Sequence, residues 1–233
     1  MYYIGENNMK GKLIVIEGTD CSGKETQSNL LIEKLHQDGI KCEKFSFPMY
    51  DTPTGKIVGG PYLGKFYICE GWFPETAPNV DPKISSLYFA ADRAYNIDVI
   101  NKTLAKGINV ILDRYVYSNM AHQGGKIKEK AERITMYKWL ESLEFNLLNL
   151  PRSDIKIFLH MPYEAGEILR KNRAESLDEN ENNKDHLLNA EKAYLEVAEM
   201  YGFDTIDCVT NNMPRTINDI HDEIYNYIKK IMG

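Results

Sequence analysis

The stretch "GTDCSGK" (18–24) constrains this chain more than any other. It has the spacing G-x-x-x-x-G-K, directly after the apolar run "KLIVIEG" (12–18) and before residues of helical period. A glycine-rich turn between a buried strand and a helix lets successive backbone N–H groups converge on one anion. The helix N-terminus adds a partial positive charge, and Lys24 adds a full one suited to the β- and γ-phosphates of a nucleotide. The donor-nucleotide candidates are therefore Gly18, Thr19, Asp20, Cys21, Ser22, Gly23 and Lys24, with Glu25 and Thr26 opening the helix. The residue after the lysine is ordinarily Ser or Thr, whose hydroxyl binds Mg²⁺; here it is Glu25. A carboxylate is an oxygen ligand that a hard cation takes directly or through water. It also sets a negative charge beside the triphosphate, which costs affinity unless the metal lies between them. Two readings stay open: the metal is held differently, or turnover is impaired.

Along the rest of the chain, short apolar runs alternate with longer segments of helical period, the pattern of a parallel sheet flanked by helices. Strands are expected at 12–18, 41–47, 108–113, 155–161 and 203–208, with Gly39, Gly107 and Gly202 as helix terminators before three of them. Three stripes recur at steps of three and four: Leu187, Ala190, Tyr194, Val197 and Tyr201; Ile217, Ile220, Ile224, Ile228 and Ile231; Met136, Leu140, Leu143, Leu147 and Leu150. Each reads as core packing. The expected fold is α/β, a five-stranded parallel sheet with helices on both faces, in one domain over 12–233. Residues 1–11 form an N-terminal extension, with a second methionine, Met9, near its end. The polar, acidic stretch "ESLDENENNKD" (175–185) reads as a mobile surface loop within a lid at about 174–185.

At 43% hydrophobic and 27% charged the composition suits a folded enzyme rather than a disordered chain. The apolar runs are strand-length, too short for a bilayer, and the first residues lack the pattern of a signal peptide, so no membrane association and a cytoplasmic location are expected. The net charge of −6 argues against nucleic-acid binding, which needs clustered cations. Cys21, Cys42, Cys69 and Cys208 form no C-x-x-C pair and read as free thiols, and the dispersed histidines give no zinc site.

The third expected strand ends in "LDRYVYSNMAHQGG" (112–125). An acid at the end of a parallel strand beside the phosphate loop, Asp113, is placed to organise Mg²⁺, and the adjacent Arg114 to bridge phosphates. This string resembles the D-R-[YH]-x-x-S-x-x-A-[YF]-Q-G segment of thymidylate kinases. "LYFAADRA" (87–94) is similar to their L-x-F-A-x-D-R-A helix, and "FPMYDTPTGKIV" (47–58) to their F-P-x-Y-x-x-P-x-G loop. The segments occur in the family's order, from about Lys12 to the last helix.

The resemblance implies ATP as phosphoryl donor, dTMP as acceptor, Mg²⁺ as cofactor and a homodimer. It also implies residue roles. Asp20 would hold the acceptor sugar's 3′-hydroxyl, Phe89 would stack on the thymine ring, and Arg93 would hydrogen-bond its O4. Asn119 would meet the N3 edge, His122 would lie against the sugar, and Gln123 would join the dTMP site. Phe47 and Tyr50 would close the pocket, with Asp113 and Glu25 serving the metal and Arg114 the phosphates. An i, i+4 pair shares a helix face, so Phe89 and Arg93 can act on one planar ligand. Members of the family without an arginine at the position of Cys21 take that charge from the lid, which points to Arg170 or Arg173. Met49 stands where many relatives have Arg, and His122 where Tyr or Phe is commoner. The alternatives are a kinase for another deoxynucleoside monophosphate or a deoxynucleoside, and a non-catalytic nucleotide sensor marked by Glu25. A GTPase is disfavoured by the lack of an N-K-x-D motif.

Overall fold

The computed structural model describes residues 10–170 and 177–232. Alternation along β1 (Leu13–Gly18) decides the architecture. Leu13 and Val15 enter one hydrophobic core, while Ile14 and Ile16 enter another on the opposite side. Every residue of β1 is buried, as a central strand covered on both faces requires. It lies in a five-stranded sheet of order β2-β3-β1-β4-β5. The other strands are β2 (Cys42–Ser46), β3 (Asn109–Asp113), β4 (Ile155–His160) and β5 (Asp204–Asp207), and all pairings are parallel. These are the five strands expected, each within two residues of its expected bounds.

The first core takes side chains from α3 (Pro82–Ala105), α4 (Val116–Gly124), α5 (Lys130–Glu141) and α7 (Lys184–Tyr201). The second is covered by α1 (Lys24–Gln37) and α8 (Ile217–Met232), whose Ile220, Ile224 and Ile228 face inward. Gly39, Gly107 and Gly202 have φ of 77°, 74° and 64°, the left-handed conformation of a helix terminator. Asn211 and Asn212 are left-handed too (φ 52° and 61°) and turn a short antiparallel ribbon, Val209–Thr210 with Met213–Pro214, that was not expected.

Two expectations need correction. The stripe Met136, Leu140, Leu143, Leu147, Leu150 assumes an unbroken α-helix, but α5 runs on as a π-helical turn, Ser142–Leu147. There the Leu148 N–H reaches the Leu143 carbonyl at 2.9 Å, five residues back. The wider turn shifts the register, so Leu147 is 71% exposed while Glu144 and Phe145 turn into the protein. The acidic stretch is also no free surface loop where it is described. Asp178 pairs with Lys65 at 3.1 Å, and the Ala77 N–H donates to Glu179 Oε2 at 2.6 Å. No helix among the described residues is long and apolar enough to cross a membrane.

Candidate active site

The phosphate loop leaves β1 and is clamped to β4. The Thr19 hydroxyl donates to the Met161 carbonyl at 2.7 Å and accepts from its N–H at 2.9 Å. Gly18 is required by close approach, since a Cβ there would lie 2.3 Å from Ser22 Oγ and 3.0 Å from the Leu159 carbonyl. Gly23 caps α1 at φ 76°, turning the chain so that the helix N-terminus faces the loop. Lys24 Nζ lies 3.5 Å from the Thr19 carbonyl and 4.0 Å from Asp20 Oδ1.

β3 delivers Asp113 and Arg114 to the same crevice, outside the carboxyl ends of the strands. Arg114 is held at φ 66°, a left-handed geometry that costs an ordinary residue about 1–2 kcal/mol. Its guanidinium donates to Asp20 Oδ1 at 2.9 Å and to the Tyr194 hydroxyl at 3.2 Å. Lys44 approaches Asp113 Oδ2 at 4.0 Å. The helix that follows is fixed by a residue sequence reasoning missed. Glu17, one of the strand's own buried positions, accepts from the Tyr115 and Ser118 N–H groups at 2.8 and 3.0 Å, capping α4 from outside. It also accepts from the Ser118 hydroxyl. A lone acid inside an apolar strand was the available signal.

A cleft of about 560 Å³ opens between these elements. Near the phosphate loop its wall is Asp20, Cys21, Gly23, Lys24, Glu25, Thr26, Asp113 and Arg114. The wall also holds Phe89, Arg93, Asn119, His122 and Gln123, with His122 Nε2 3.4 Å from Arg114 Nη1, and Phe47 and Tyr50 line it from the loop between β2 and α2 (Pro53–Ile57). That loop is pinned by Asp92, a buried carboxylate that accepts from the Met49 N–H and the Thr54 hydroxyl, both at 2.9 Å. The docked acidic stretch contributes Asp178, Asn180 and Glu181 to the lining of this cleft. Sequence reasoning missed Lys65, Asp178 and Asn180 in the wall and Asp92 behind it, because only the docking of distant segments gives them these places.

Arg93 is 2% exposed and holds Glu144 in a two-pronged ion pair, with Nη2 to Oε1 at 2.7 Å and Nε to Oε2. Asn119 Nδ2 donates to Glu144 Oε1 at 2.9 Å and to the Ser86 carbonyl at 3.2 Å, while its Oδ1 is buried without a partner. Both side-chain amide atoms of Gln123 are likewise buried and unpartnered. Such atoms cost about 1–3 kcal/mol each unless a ligand or water meets them. Asn119 and Gln123 both line the cleft, where a polar ligand could meet such atoms.

Charge in the cleft is tightly coupled. Burial works against the Asp20 carboxylate, but Arg114 and then Lys24 more than offset it and hold the group well below the usual range. Burial and the neighbouring Arg114 pull the Lys24 ammonium down. His122 lies 3.2 Å from His186 and stacks on it; burial, with Arg114 and His186, holds its imidazole well below the usual value. Burial also lowers His186, to about 4. Both rings are neutral at pH 7.

Gly18 and Ser22 lie in the phosphate loop but not on the cleft, and Thr19 and Arg170 line a small neighbouring pocket that also touches Asp20. The Arg170 guanidinium sits 5.2 Å over the Tyr163 ring at the end of α6 (Tyr163–Arg170). Arg173 and Lys171 lie outside the described residues. Among the described residues no three His, Cys, Asp or Glu side chains converge on an ion. Mg²⁺ is commonly held through substrate phosphates and water with one or two carboxylates, a set that Asp113 and Glu25 on the cleft wall fit.

A parallel sheet with a G-x-x-x-x-G-K loop at its switch point, and a strand-end Asp-Arg pair beside that loop, defines the class of P-loop nucleotide-binding proteins. Within it, the family model for thymidylate kinase matches residues 16–224. The chain belongs to the thymidylate kinase family. It is 32% identical to a probable thymidylate kinase of Pyrococcus abyssi, over 95% of this chain and 97% of that one. It is 28% identical to the thymidylate kinase of Schizosaccharomyces pombe, over 95% and 93%. The solved structure of thymidylate kinase from Candida albicans shares the fold, with a TM-score of 0.73 at 24% identity, covering 96% of this chain and 93% of that one.

Proposed function

We propose that this protein transfers the γ-phosphoryl group of ATP to dTMP, giving ADP and dTDP. One observation carries the reading beyond family membership. In the same cleft as Lys24, Arg93 offers a donor and Asn119 Oδ1 is an unpartnered acceptor. Thymine presents the complement, an O4 acceptor beside an N3–H donor. Phe89 lines the cleft beside them, a flat apolar face for the ring.

In this reading the loop N–H groups and Lys24 hold the donor's phosphates. Arg114 lies between donor and acceptor, where its fixed charge favours the charge developing on the transferred group. Asp20 stays ionised beside Arg114 and offers its second oxygen to the acceptor's sugar hydroxyl. His122 lies against the sugar, Gln123 supplies amide groups to the acceptor, and Phe47 and Tyr50 close over it. Attack is in line by the acceptor phosphate, so no covalent enzyme intermediate is needed. Mg²⁺ would be held by Asp113 and Glu25 together with the nucleotide's oxygens, and would neutralise phosphate charge. Arg170 and Arg173 supply the lid cation that position 21 lacks. The working unit is a cytoplasmic homodimer that binds neither nucleic acid nor membrane. A coupled ADP-release assay across dTMP, dUMP, dCMP, dGMP and dAMP tests the reaction: dTMP should give the highest kcat/KM, and equal or greater turnover of another acceptor would overturn it.

A further inference from the structure

We propose that Glu144 is a positioning residue that sets the base specificity of the cleft, an inference that rests on the acceptor reading above. Glu144 is fully buried, and it stands on no strand or helix face that sequence periodicity marks. The π-helical turn at 142–147 rotates it inward to meet Arg93 and Asn119 together. A buried ion pair is on balance a weak source of stability, because desolvation offsets the attraction. Its geometry here has a clearer consequence for recognition.

Glu144 Oε1 and the Ser86 carbonyl both accept from Asn119 Nδ2. Rotating the amide by half a turn would set its oxygen against two acceptors, so the amide is locked with Nδ2 on Glu144 and Ser86 and with Oδ1 as the atom left without a partner. Glu144 likewise occupies Nε and Nη2 of Arg93, leaving Nη1 as the nitrogen for a ligand. One carboxylate thus fixes a donor and an acceptor side by side. Thymine and uracil match that polarity. Cytosine presents an amino donor to the arginine and a bare N3 to the amide oxygen, a mismatch at both positions. Glu144 touches no ligand, yet it dictates which edge is accepted.

Glu144→Gln keeps the shape and replaces one oxygen with a donor, which releases Arg93 and allows Asn119 to turn. The ratio of kcat/KM for dTMP over dCMP should fall at least about tenfold, with the loss mainly in the dTMP KM and with the ATP KM unchanged. A merely structural role would lower the folded fraction and the rate on all acceptors alike, leaving the ratio intact. Full retention of the ratio in folded Glu144→Gln overturns the proposal. A wild type that does not prefer dTMP instead overturns the acceptor reading, and the two failures are separate. A measurement on the wild type needs no variant to fold: the Asn119 side-chain amide protons should be protected from solvent exchange in the free enzyme, and rapid exchange would also overturn the assignment.

Discussion

Glu25 sits in the first turn of α1, exposed on the cleft wall one residue past Lys24. If its carboxylate takes over the metal duty of the usual hydroxyl, Glu25→Gln should weaken apparent Mg²⁺ affinity, since a neutral amide is a poorer ligand for a hard cation. Glu25→Ser should restore the ordinary loop and keep activity. An unchanged Mg²⁺ titration in Glu25→Gln would sink the ligand role, and a wild type that gains turnover only as Glu25→Ser would mark a sensor. The histidine pair makes a prediction about pH. His186 is held at about 4 against an ordinary 6.5, so between those values it is neutral in the fold and protonated in the unfolded chain. The unfolded state then binds more protons, and stability falls as pH drops from 6.5 toward 4. The shift bounds the loss at roughly 3 kcal/mol. His186→Gln should therefore flatten the acid side of a plot of urea midpoint against pH, and an unaltered slope would remove His186 from the account.

At the scale of elements, the acidic stretch from 177 onward is the least expected piece of the cleft. Its composition suggests a solvated loop, yet Glu179 anchors the Ala77 N–H, its own N–H meets the Leu63 carbonyl at 3.2 Å, and Asp178 pairs with Lys65. A carboxylate accepting a backbone N–H is worth about 1.5–3 kcal/mol. Glu179→Ala should unpin this wall and raise the acceptor KM roughly tenfold, with the ATP KM little changed. Steady-state kinetics with each substrate varied in turn checks this, and an unchanged acceptor KM would show that the wall holds without that contact. The π-helical turn after α5 is the other element that matters. By shifting the register it exposes Leu147 and buries Glu144, a result no unbroken helical period can give.

For the whole molecule, α3 carries apolar side chains on its outer surface: Ile84, Leu87, Tyr95 and Val99 are 46%, 47%, 61% and 45% exposed. The same helix presents Phe89 and Arg93 to the cleft. A second copy seated on α3 would cover that surface and brace the helix that carries Phe89 and Arg93, an arrangement consistent with the proposed homodimer. Tyr95→Glu places a charge in that contact and should halve the mass measured by light scattering. A wild type already at the mass of one chain, 26.8 kDa, would rule the arrangement out.

Local chemistry fixed much of this in advance. A G-x-x-x-x-G-K turn after a doubly buried strand works only in one backbone context, and the sequence carries both, along with five strands and their glycine terminators. The residues of the cleft were legible where they sit in contiguous motifs, as Asp113, Arg114, Asn119 and His122 do on one strand end and helix. What only the tertiary structure decided are contacts between segments far apart in the chain. Glu17 caps α4 across about a hundred residues, Glu144 meets Arg93 across 51, and Glu179 meets Ala77 across 102. A carboxylate carries no periodic signature of its partner. Its role depends on which distant donor the packed core brings within 3 Å, and that distance exists only once the chain has folded.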